Sequence, residues 1–293
     1  MFGKEDEIVR TAQKIMKSKS FISPGKDKCL PKRQSAADKL AVVPDHYCEK
    51  IRCWLADRYG TEAEEIWRKT EKNYAVYLSE APDYGGKKNG HAKAIYGGML
   101  VFALYTALPD QPPISELEEF VQDLFMSPFT KLGKVFDLNR TFDMWLIDKV
   151  FRKSGDRDRK DIVKYPDSFV NVDEPYDRKN RIARYSFTQC PNAEFAKKHG
   201  LLHVLPLLCN SDFFGISEIH GTLIRCGTCG NGDRCDYCVV GSKNPLAKEY
   251  EVVTDEKGFL VSRKRTDALI RRSNVRPESR NSRLDEAERS PHE

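Results

Sequence analysis

Apolar residues recur every three or four positions along most of the first half of the chain, with charged and polar residues between them. This period is that of an amphipathic helix. One such segment begins at Asp45, a residue suited to an N-cap, and ends at Gly60, a residue suited to a C-cap. We therefore predict a helical region over residues 35–152, preceded over residues 1–34 by a short helix and a linker rich in Pro, Gly, Ser and Lys.

The most apolar stretch of the chain, AIYGGMLVFALYTALP, spans residues 94–109. It is shorter than the roughly 20 residues that a membrane-spanning helix needs, and it contains two glycines. The N-terminus is charged and lacks the apolar stretch of a signal peptide. These features predict a buried core helix in a cytoplasmic protein that does not enter a membrane.

The pattern changes after residue 152. The charged segment SGDRDRKD interrupts the helical period, so we place a boundary there and a second region over residues 153–250. Short segments rich in β-branched and aromatic residues follow, separated by turn residues and by one helical stretch that begins at Pro191. They predict the element order β-β-α-β-β. The predicted fold class is α+β, with an N-terminal helical half followed by a four-stranded antiparallel sheet.

Charge is concentrated at the C-terminal end. The formal net charge is +5, and residues 263–293 hold nine basic and six acidic residues, so this segment supplies more than half of it. Low hydrophobicity with mixed charge predicts a basic, disordered tail over residues 251–293. The rest of the chain shows no dense basic stripe with interleaved aromatics, so we do not expect it to bind nucleic acid.

The chain has nine cysteines and no export signal, so we expect reduced thiols with reactive or metal-binding roles. Four of them lie in RCGTCGNGDRCDYC, at Cys226, Cys229, Cys235 and Cys238. Two Cys-x-x-Cys pairs are a common ligand set for structural zinc. Zinc ribbons separate their pairs by about 15 to 20 residues, whereas only five intervene here. Zinc is therefore the minority alternative, and packing of some of these thiols in a core is another.

A second set of residues favours catalysis. Cys190 ends a predicted strand and precedes a predicted helix, where free backbone amides and the helix dipole would lower the pKa of a thiol. Cys209 and Asp212 are three residues apart and would share one face of a helix. His199 and His203 have a spacing suited to a metal or a general base, although such isolated pairs are more often surface or core residues.

These residues resemble the pattern of the L-2-amino-thiazoline-4-carboxylic acid hydrolase family. That pattern reads Cys-Pro, a helix, Cys-x-x-Asp, Arg-Thr-x-Thr, a Gly-rich turn and Cys-Asp-Phe. The matching positions in this chain, in order, are Cys190-Pro191, AEFAKKHGL, Cys209, Asp212, Arg225, Thr228, Gly232 and Cys235-Asp236-Tyr237. The resemblance covers roughly residues 90–241.

The chain departs from the family pattern at several of these positions. Cys226 stands where the pattern has threonine, and Tyr237 replaces phenylalanine. Cys229 and Cys238 are additional cysteines. The resemblance therefore argues against an obligatory four-cysteine metal site.

The resemblance implies ring opening of a cyclic amidine, by addition of water at the carbon between nitrogen and sulfur, and no cofactor. Such chemistry needs a nucleophile, a proton donor and a cation for the substrate carboxylate. The first is expected among Cys190, Cys209 and Cys235, with Cys190 the leading candidate.

Asp212 or Asp236 would then transfer protons, Arg225 would bind the carboxylate of a small-molecule substrate, and Thr228 would donate a hydrogen bond. The alternative function is a non-catalytic zinc- or ligand-binding module built around residues 226–238. The oligomeric state stays open.

Overall fold

The computed structural model describes Val43 and residues 45–265 of the chain. The predictions for residues 1–34 and for the end of the tail therefore lie outside the described residues. The N-terminal part is helical, as predicted. Its helices are α1 (Asp45–Tyr59), α2 (Ala63–Glu80), α3 (Ala92–Ala107) and α4 (Glu118–Leu132). Gly60 follows α1 with a φ of +53°, a left-handed conformation that favours glycine and ends the helix.

Helix α3 contains the apolar stretch and is buried along most of its length. A Cβ atom on Gly98 would lie 2.7 Å from Asn192 Oδ1, so the absence of a side chain there lets a later helix pack closely on α3. Asn192 Nδ2 also donates to the Ala94 carbonyl oxygen at 3.2 Å. The prediction of a buried core helix is confirmed. Among the described helices, none combines the length and the apolar character needed to span a bilayer.

Helix α5 (Thr141–Lys164) continues through the segment SGDRDRKD. The predicted break at residue 152 is therefore wrong at the level of secondary structure. The charges lie at helical spacing, so they pair along the helix: Arg152 Nε lies 2.8 Å from Asp148 Oδ2, and Arg159 Nη2 lies 2.7 Å from Asp156 Oδ1. Alternating charge here stabilises a helix surface instead of interrupting it.

A four-stranded antiparallel sheet follows, and the α+β fold class is confirmed. Its strands are β1 (Val170–Asp173), β2 (Ala183–Gln189), β3 (Gly221–Ile224) and β4 (Cys235–Gly241). The order across the sheet is β1-β2-β4-β3. Three short helices connect β2 to β3, namely α6 (Pro191–Lys198), α7 (Pro206–Cys209) and α8 (Ser211–Glu218).

The predicted disorder from residue 251 is wrong as far as residue 264. After α9 (Pro245–Lys248), β5 (Tyr250–Thr254) and β6 (Leu260–Lys264) form an antiparallel hairpin. Asp255 Oδ1 accepts the backbone N–H groups of Lys257 and Phe259, which closes the turn. The Phe259 side chain is fully buried. An apolar anchor inside a charged stretch thus orders the hairpin.

Candidate active site

One face of the sheet carries most of the predicted site. Side chains alternate between faces along a strand, so Cys235 and Tyr237 on β4 share a face, as do Tyr185 and Phe187 on β2. The register places Phe187 opposite Cys235 and Tyr185 opposite Tyr237. The two tyrosine rings stack with centroids 4.5 Å apart. The rings of Tyr185, Phe187 and Tyr237 thus form one aromatic surface, called the aromatic floor below, and the Cys235 thiol lies at its edge.

Arg225 follows β3 and is fully buried against this floor. Its Nη1 donates to Asp212 Oδ2 and to the Cys209 carbonyl oxygen, both at 3.0 Å. Its guanidinium carbon lies 5.7 Å from the Tyr237 ring centroid and 4.9 Å from that of Phe213. Arg225 therefore fixes the end of α7 and the start of α8, which hold the predicted Cys-x-x-Asp pair.

Asp212 is the partner that solvent reaches, because its side chain is 32% exposed while that of Arg225 is 0% exposed. Its Oδ2 also accepts a hydrogen bond from the Tyr237 hydroxyl at 2.7 Å. Burial of the carboxyl raises the pKa of Asp212, opposed by the Arg225 cation and by the hydrogen bonds from Tyr237 and Arg225. An Asp with a raised pKa is suited to donate a proton.

Cys190 lies immediately before α6, as predicted, yet the expected low pKa is wrong. The backbone amides of Asn192 and Ala193 lower the pKa of the thiol, but burial outweighs them and raises it to about 12. The side chain is almost inaccessible, with 7% exposed area. The helix N-terminus lowers the pKa of this thiol by less than burial in the core raises it.

Cys209 is the last residue of α7 and is partly exposed. Burial raises the pKa of its thiol, and the Arg225 cation is the main influence in the opposite direction. Of the three predicted nucleophiles, Cys209 alone combines contact with solvent and a neighbouring cation.

Cys235 is buried and accepts a hydrogen bond from the Cys229 backbone N–H at 3.2 Å. The hydrogen bond with the Cys229 thiol and burial raise the pKa of Cys235. The Cys229 thiol in turn donates to the Phe187 carbonyl oxygen at 3.3 Å. Cys229 thus packs against Cys235 of β4 and the backbone of Phe187 in β2.

The three predicted nucleophiles lie close together. Cys190 and Cys235 are buried in the same hydrophobic core, and Cys209 packs against that core. These residues come from separate elements, so the fold brings them into one cluster.

Asp236 and Thr228, two of the predicted site residues, lie elsewhere. Asp236 is on the opposite face of β4 from Cys235, and its carboxylate accepts the backbone N–H groups of Cys226 and Gly227. Thr228 is fully buried, and its hydroxyl donates to Asn231 Oδ1 at 2.9 Å. Both residues stabilise the Gly-rich loop.

The four cysteines of RCGTCGNGDRCDYC do not surround a common point. Cys235 and Cys238 are three apart on one strand, so they lie on opposite faces of the sheet, while Cys226 is exposed and Cys229 is buried. Within residues 45–265, no group of three or more His, Cys, Asp or Glu side chains is arranged to hold a metal ion. The zinc alternative at these four positions stays a prediction, and the Cys235 and Cys238 side chains lie on opposite sides of the sheet.

The oxidation state of the cysteines tests the expectation of reduced thiols. Cys190, Cys209, Cys226, Cys229, Cys235 and Cys238 carry free thiols. Cys53 in α1 is disulfide-bonded, so the expectation is wrong for that residue.

The predicted histidine pair lies apart from the cluster. His199 Nε2 is 3.5 Å from Glu80 Oε2, and its ring stacks on Phe195 with centroids 4.1 Å apart. His203 is exposed and contacts Tyr105. These are packing and surface roles, as the alternative interpretation held.

A cavity of about 430 Å³ lies beside the Gly-rich loop, away from Cys190, Cys209 and Cys235. Its lining residues are Cys226, Asn231, Tyr250, Asp255, Val261, Ser262, Arg263 and Lys264. Cys209, Asp212 and Tyr237 are partly exposed and do not line this cavity.

Sequence reasoning missed two features of this face. Tyr185 completes the tyrosine stack, and the alternation along RYSFTQ was the available signal, since it places Tyr185 and Phe187 on one side. The second feature is His91, which no prediction named. Its ring centroid lies 5.9 Å from that of Phe187, a contact that no local sequence signal indicates.

Comparison with known proteins gave one match. Residues 93–239 match the family model described as L-2-amino-thiazoline-4-carboxylic acid hydrolase. The matched range contains the cysteine cluster, Asp212, Arg225 and Tyr237. No curated protein and no solved structure matches the chain significantly.

Proposed function

The chain belongs to the L-2-amino-thiazoline-4-carboxylic acid hydrolase family, and on that premise we propose that it opens a cyclic amidine ring by hydrolysis, with a cysteine nucleophile. The substrate class is a small five-membered amidine that carries a carboxylate, of which 2-amino-thiazoline-4-carboxylate is the first to test. The product is then a carbamoyl-cysteine.

One observation carries the choice of nucleophile: Cys209 is the partly exposed thiol next to the Arg225–Asp212 ion pair. Burial raises the pKa of this thiol well above its ordinary value, and the buried cation opposes that rise. Cys190 and Cys235 are buried, so a substrate reaches them less readily. We therefore assign the attack to Cys209 in place of Cys190.

In the first step, Cys209 gives its thiol proton to the Asp212 carboxylate while its sulfur forms a bond to the amidine carbon, and the carbon–sulfur bond of the ring breaks. Asp212 then gives that proton to the leaving sulfur and returns to the carboxylate that pairs with Arg225. The raised pKa of Asp212 supports this role, because a more basic carboxylate takes up the thiol proton more readily. The product of this step is an isothiourea bonded to the enzyme through sulfur.

In the second step, water forms a bond to the same carbon, and the carbon–sulfur bond to Cys209 breaks. The carbon becomes the carbonyl carbon of the carbamoyl group, and the proton that water loses ends on the departing Cys209 sulfur. The two steps together consume one water molecule and restore the Cys209 thiol and the Asp212 carboxylate.

Arg225 holds Asp212 and the end of α7 in this scheme, and it does not bind the substrate carboxylate. Its side chain is 0% exposed and already pairs with Asp212. This assignment replaces the expectation that Arg225 contacts substrate directly. A fixed cation beside the thiol supplies electrostatic stabilisation without reorganisation during the reaction.

The test is a ring-opening assay with 2-amino-thiazoline-4-carboxylate and separate serine variants of Cys209, Cys190 and Cys235. We expect Cys209→Ser to lower kcat by at least about 1,000-fold, as for loss of a nucleophile in other hydrolases. Asp212→Asn should also lower kcat. Asp236→Asn is the matched control, since Asp236 lies on the other sheet face and should leave kcat nearly unchanged.

Full activity in all three serine variants would contradict covalent catalysis by these cysteines. If only Cys190→Ser or only Cys235→Ser loses activity, the proposed hydrolase function stands, and the nucleophile is that cysteine instead of Cys209. Mass spectrometry of protein quenched during turnover should find the adduct mass on the peptide that contains Cys209.

A further inference from the structure

Cys229 and Cys235 are two adjacent cysteines that have no step in the scheme above. The Cys229 backbone N–H donates to Cys235 Sγ at 3.2 Å, and a hydrogen bond also joins the two thiols. Both thiols are free, and the residues are only 4% and 5% exposed. The fold therefore holds two reduced sulfur atoms side by side and largely shielded from solvent.

The turn between the two cysteines brings them together. The backbone N–H groups of Asn231 and Gly232 donate to the Thr228 carbonyl oxygen at 3.2 and 2.7 Å, so the chain reverses direction between Cys229 and Cys235. Asn231 Nδ2 also donates to a carboxylate in the turn of the β5–β6 hairpin at 2.6 Å, which ties the loop to the hairpin. The loop thus keeps the first cysteine against the second.

The sheet fixes the other side of the pair. Cys235 opens β4 opposite Phe187 on β2, and the Cys229 thiol donates to the Phe187 carbonyl oxygen at 3.3 Å. The Cys229 Cα atom is one bond from the nitrogen that contacts Cys235 Sγ, and the Cys235 Cα atom is two bonds from that sulfur. The two Cα atoms are therefore close to the roughly 4.4 to 6.8 Å that a disulfide spans. Rotation of the two side chains brings the sulfur atoms into bonding range.

The other two cysteines of RCGTCGNGDRCDYC are placed differently. Cys238 lies on the opposite face of β4 from Cys235, and Cys226 is exposed while Cys229 is buried. Among these four thiols, the contacts within residues 45–265 join Cys229 to Cys235. One pairing is therefore favoured by the fold.

We propose that Cys229 and Cys235 are a redox modification site, at which hydrogen peroxide converts the two thiols to a reversible disulfide. The Cys229 sulfur first bonds to one peroxide oxygen, the oxygen–oxygen bond breaks, and one water leaves, so Cys229 becomes a sulfenic acid. The Cys235 sulfur then bonds to the Cys229 sulfur, the sulfur–oxygen bond breaks, and the hydroxyl leaves as water with the Cys235 proton. The two thiols lose two electrons in total, and hydrogen peroxide is reduced to two waters.

Burial and adjacency decide which oxidant reacts and where the oxidation stops. A shielded pair excludes bulky oxidants such as glutathione disulfide, whereas hydrogen peroxide is little larger than water. The hydrogen bond with Cys235 lowers the pKa of the Cys229 thiol, against the rise from burial, so Cys229 is the thiol oxidised first. A neighbouring thiol captures a sulfenic acid before it reaches the irreversible sulfinic stage. Cys229, an additional cysteine, thus protects Cys235, which matches the family pattern.

The test treats the folded full chain with hydrogen peroxide, blocks the remaining thiols in denaturant and digests the protein with trypsin without reduction. Trypsin cleaves after Arg225, Arg234 and Lys243, so Cys229 and Cys235 fall in separate peptides, residues 226–234 and 235–243. We expect mass spectrometry to find these two peptides linked, and we expect dithiothreitol to separate them.

The double variant Cys226→Ser/Cys238→Ser is the matched control. It leaves one cysteine in each of the two peptides, so a link between them comes only from Cys229 and Cys235. We expect the link to persist in the double variant and to be lost completely in Cys229→Ser. If Cys229→Ser does not fold, the double variant still decides. Migration as a monomer on a non-reducing gel shows that the link lies within one chain.

The outcomes separate this inference from the proposed function, because none of them depends on ring opening. A link in the wild type and in the double variant, with more sulfinic acid on Cys235 in Cys229→Ser than in the wild type, supports the inference. Absence of the link from the double variant overturns it, as does a link from Cys235 to Cys190 or Cys209 in place of Cys229. Equal amounts of sulfinic acid on Cys235 in the wild type and Cys229→Ser overturn the protective role.

Discussion

Arg225 and Asp212 form an ion pair in which solvent reaches only one of the two charges. The guanidinium is enclosed by Phe213, Tyr237 and the backbone oxygens of Cys209 and Leu260, while the carboxylate lies at the edge of the sheet face. A buried cation must keep its counter-charge, because desolvation of an unpaired ion is costly. The pair therefore holds α7 and α8 in place and leaves the Asp212 carboxyl accessible.

Stability provides a direct check on this pair. Asp212→Asn leaves the buried guanidinium without a counter-charge, so we expect the free energy of unfolding to fall by about 2 to 3 kcal/mol. This value lies at or below the low end for buried ion pairs, because solvent reaches the carboxylate and weakens the interaction. Urea unfolding measures it. Asp233→Asn is the control, since Asp233 pairs with Arg234 on the surface and should change stability by about 0.5 kcal/mol at most. Equal effects of the two variants would contradict the buried-pair argument.

The hydroxyl of Tyr237 should set the pH range of activity. Its hydrogen bond to Asp212 favours the ionised carboxylate and lowers the pKa of that carboxyl, against the rise caused by burial. Tyr237→Phe, which restores the residue of the family pattern, therefore raises the pKa of Asp212 further. Because Asp212 must be ionised to accept the thiol proton, the pH below which kcat declines should move upward.

A profile of kcat against pH for wild type and Tyr237→Phe measures this shift. Tyr185→Phe is the control, since Tyr185 stacks on Tyr237 and donates no hydrogen bond to Asp212. An unchanged or downward shift in Tyr237→Phe would be inconsistent with Asp212 as the group that accepts the thiol proton.

The pKa of Cys190 links folding stability to alkaline pH. In the unfolded chain a cysteine thiol ionises near pH 8.5 or so, while burial raises the pKa of Cys190 in the folded protein to about 12. The folded state therefore keeps a proton that the unfolded state has lost. The stability from this group is fully present below the unfolded pKa and is lost as pH rises toward the folded one, by at most about 1.4 kcal/mol per pH unit.

The measurement is the free energy of urea unfolding at several pH values between neutral and about pH 10. Cys190→Ala removes this titration, so its stability should fall less steeply over the alkaline range than that of the wild type, whatever its stability at neutral pH. Parallel curves for the two proteins would show that Cys190 is not buried as a neutral thiol.

Much of the chain's local structure followed from short-range sequence patterns. The β-branched and aromatic residues in RYSFTQ and CDYCVVG predicted β2 and β4, and Gly60 predicted the end of α1. These predictions held because strand propensity and helix capping depend on adjacent residues alone. The same approach was wrong for SGDRDRKD, since a charged run has the same composition in a loop and on the surface of a helix.

The sequence alone determined which residues are candidates for the chemistry: the Cys-x-x-Asp pair, the arginine after β3 and the cysteine that opens β4, all within the residues that match the family. Tertiary structure decided what each of them is able to do. The core desolvates Cys190 and overrides its helix terminus, the sheet turns Asp236 away from Asp212, and packing of α5 against β1 brings Asp158 to His91. Burial and charge pairing depend on residues far apart in the chain, so the local pattern around a side chain does not fix its pKa, its accessibility or its partner.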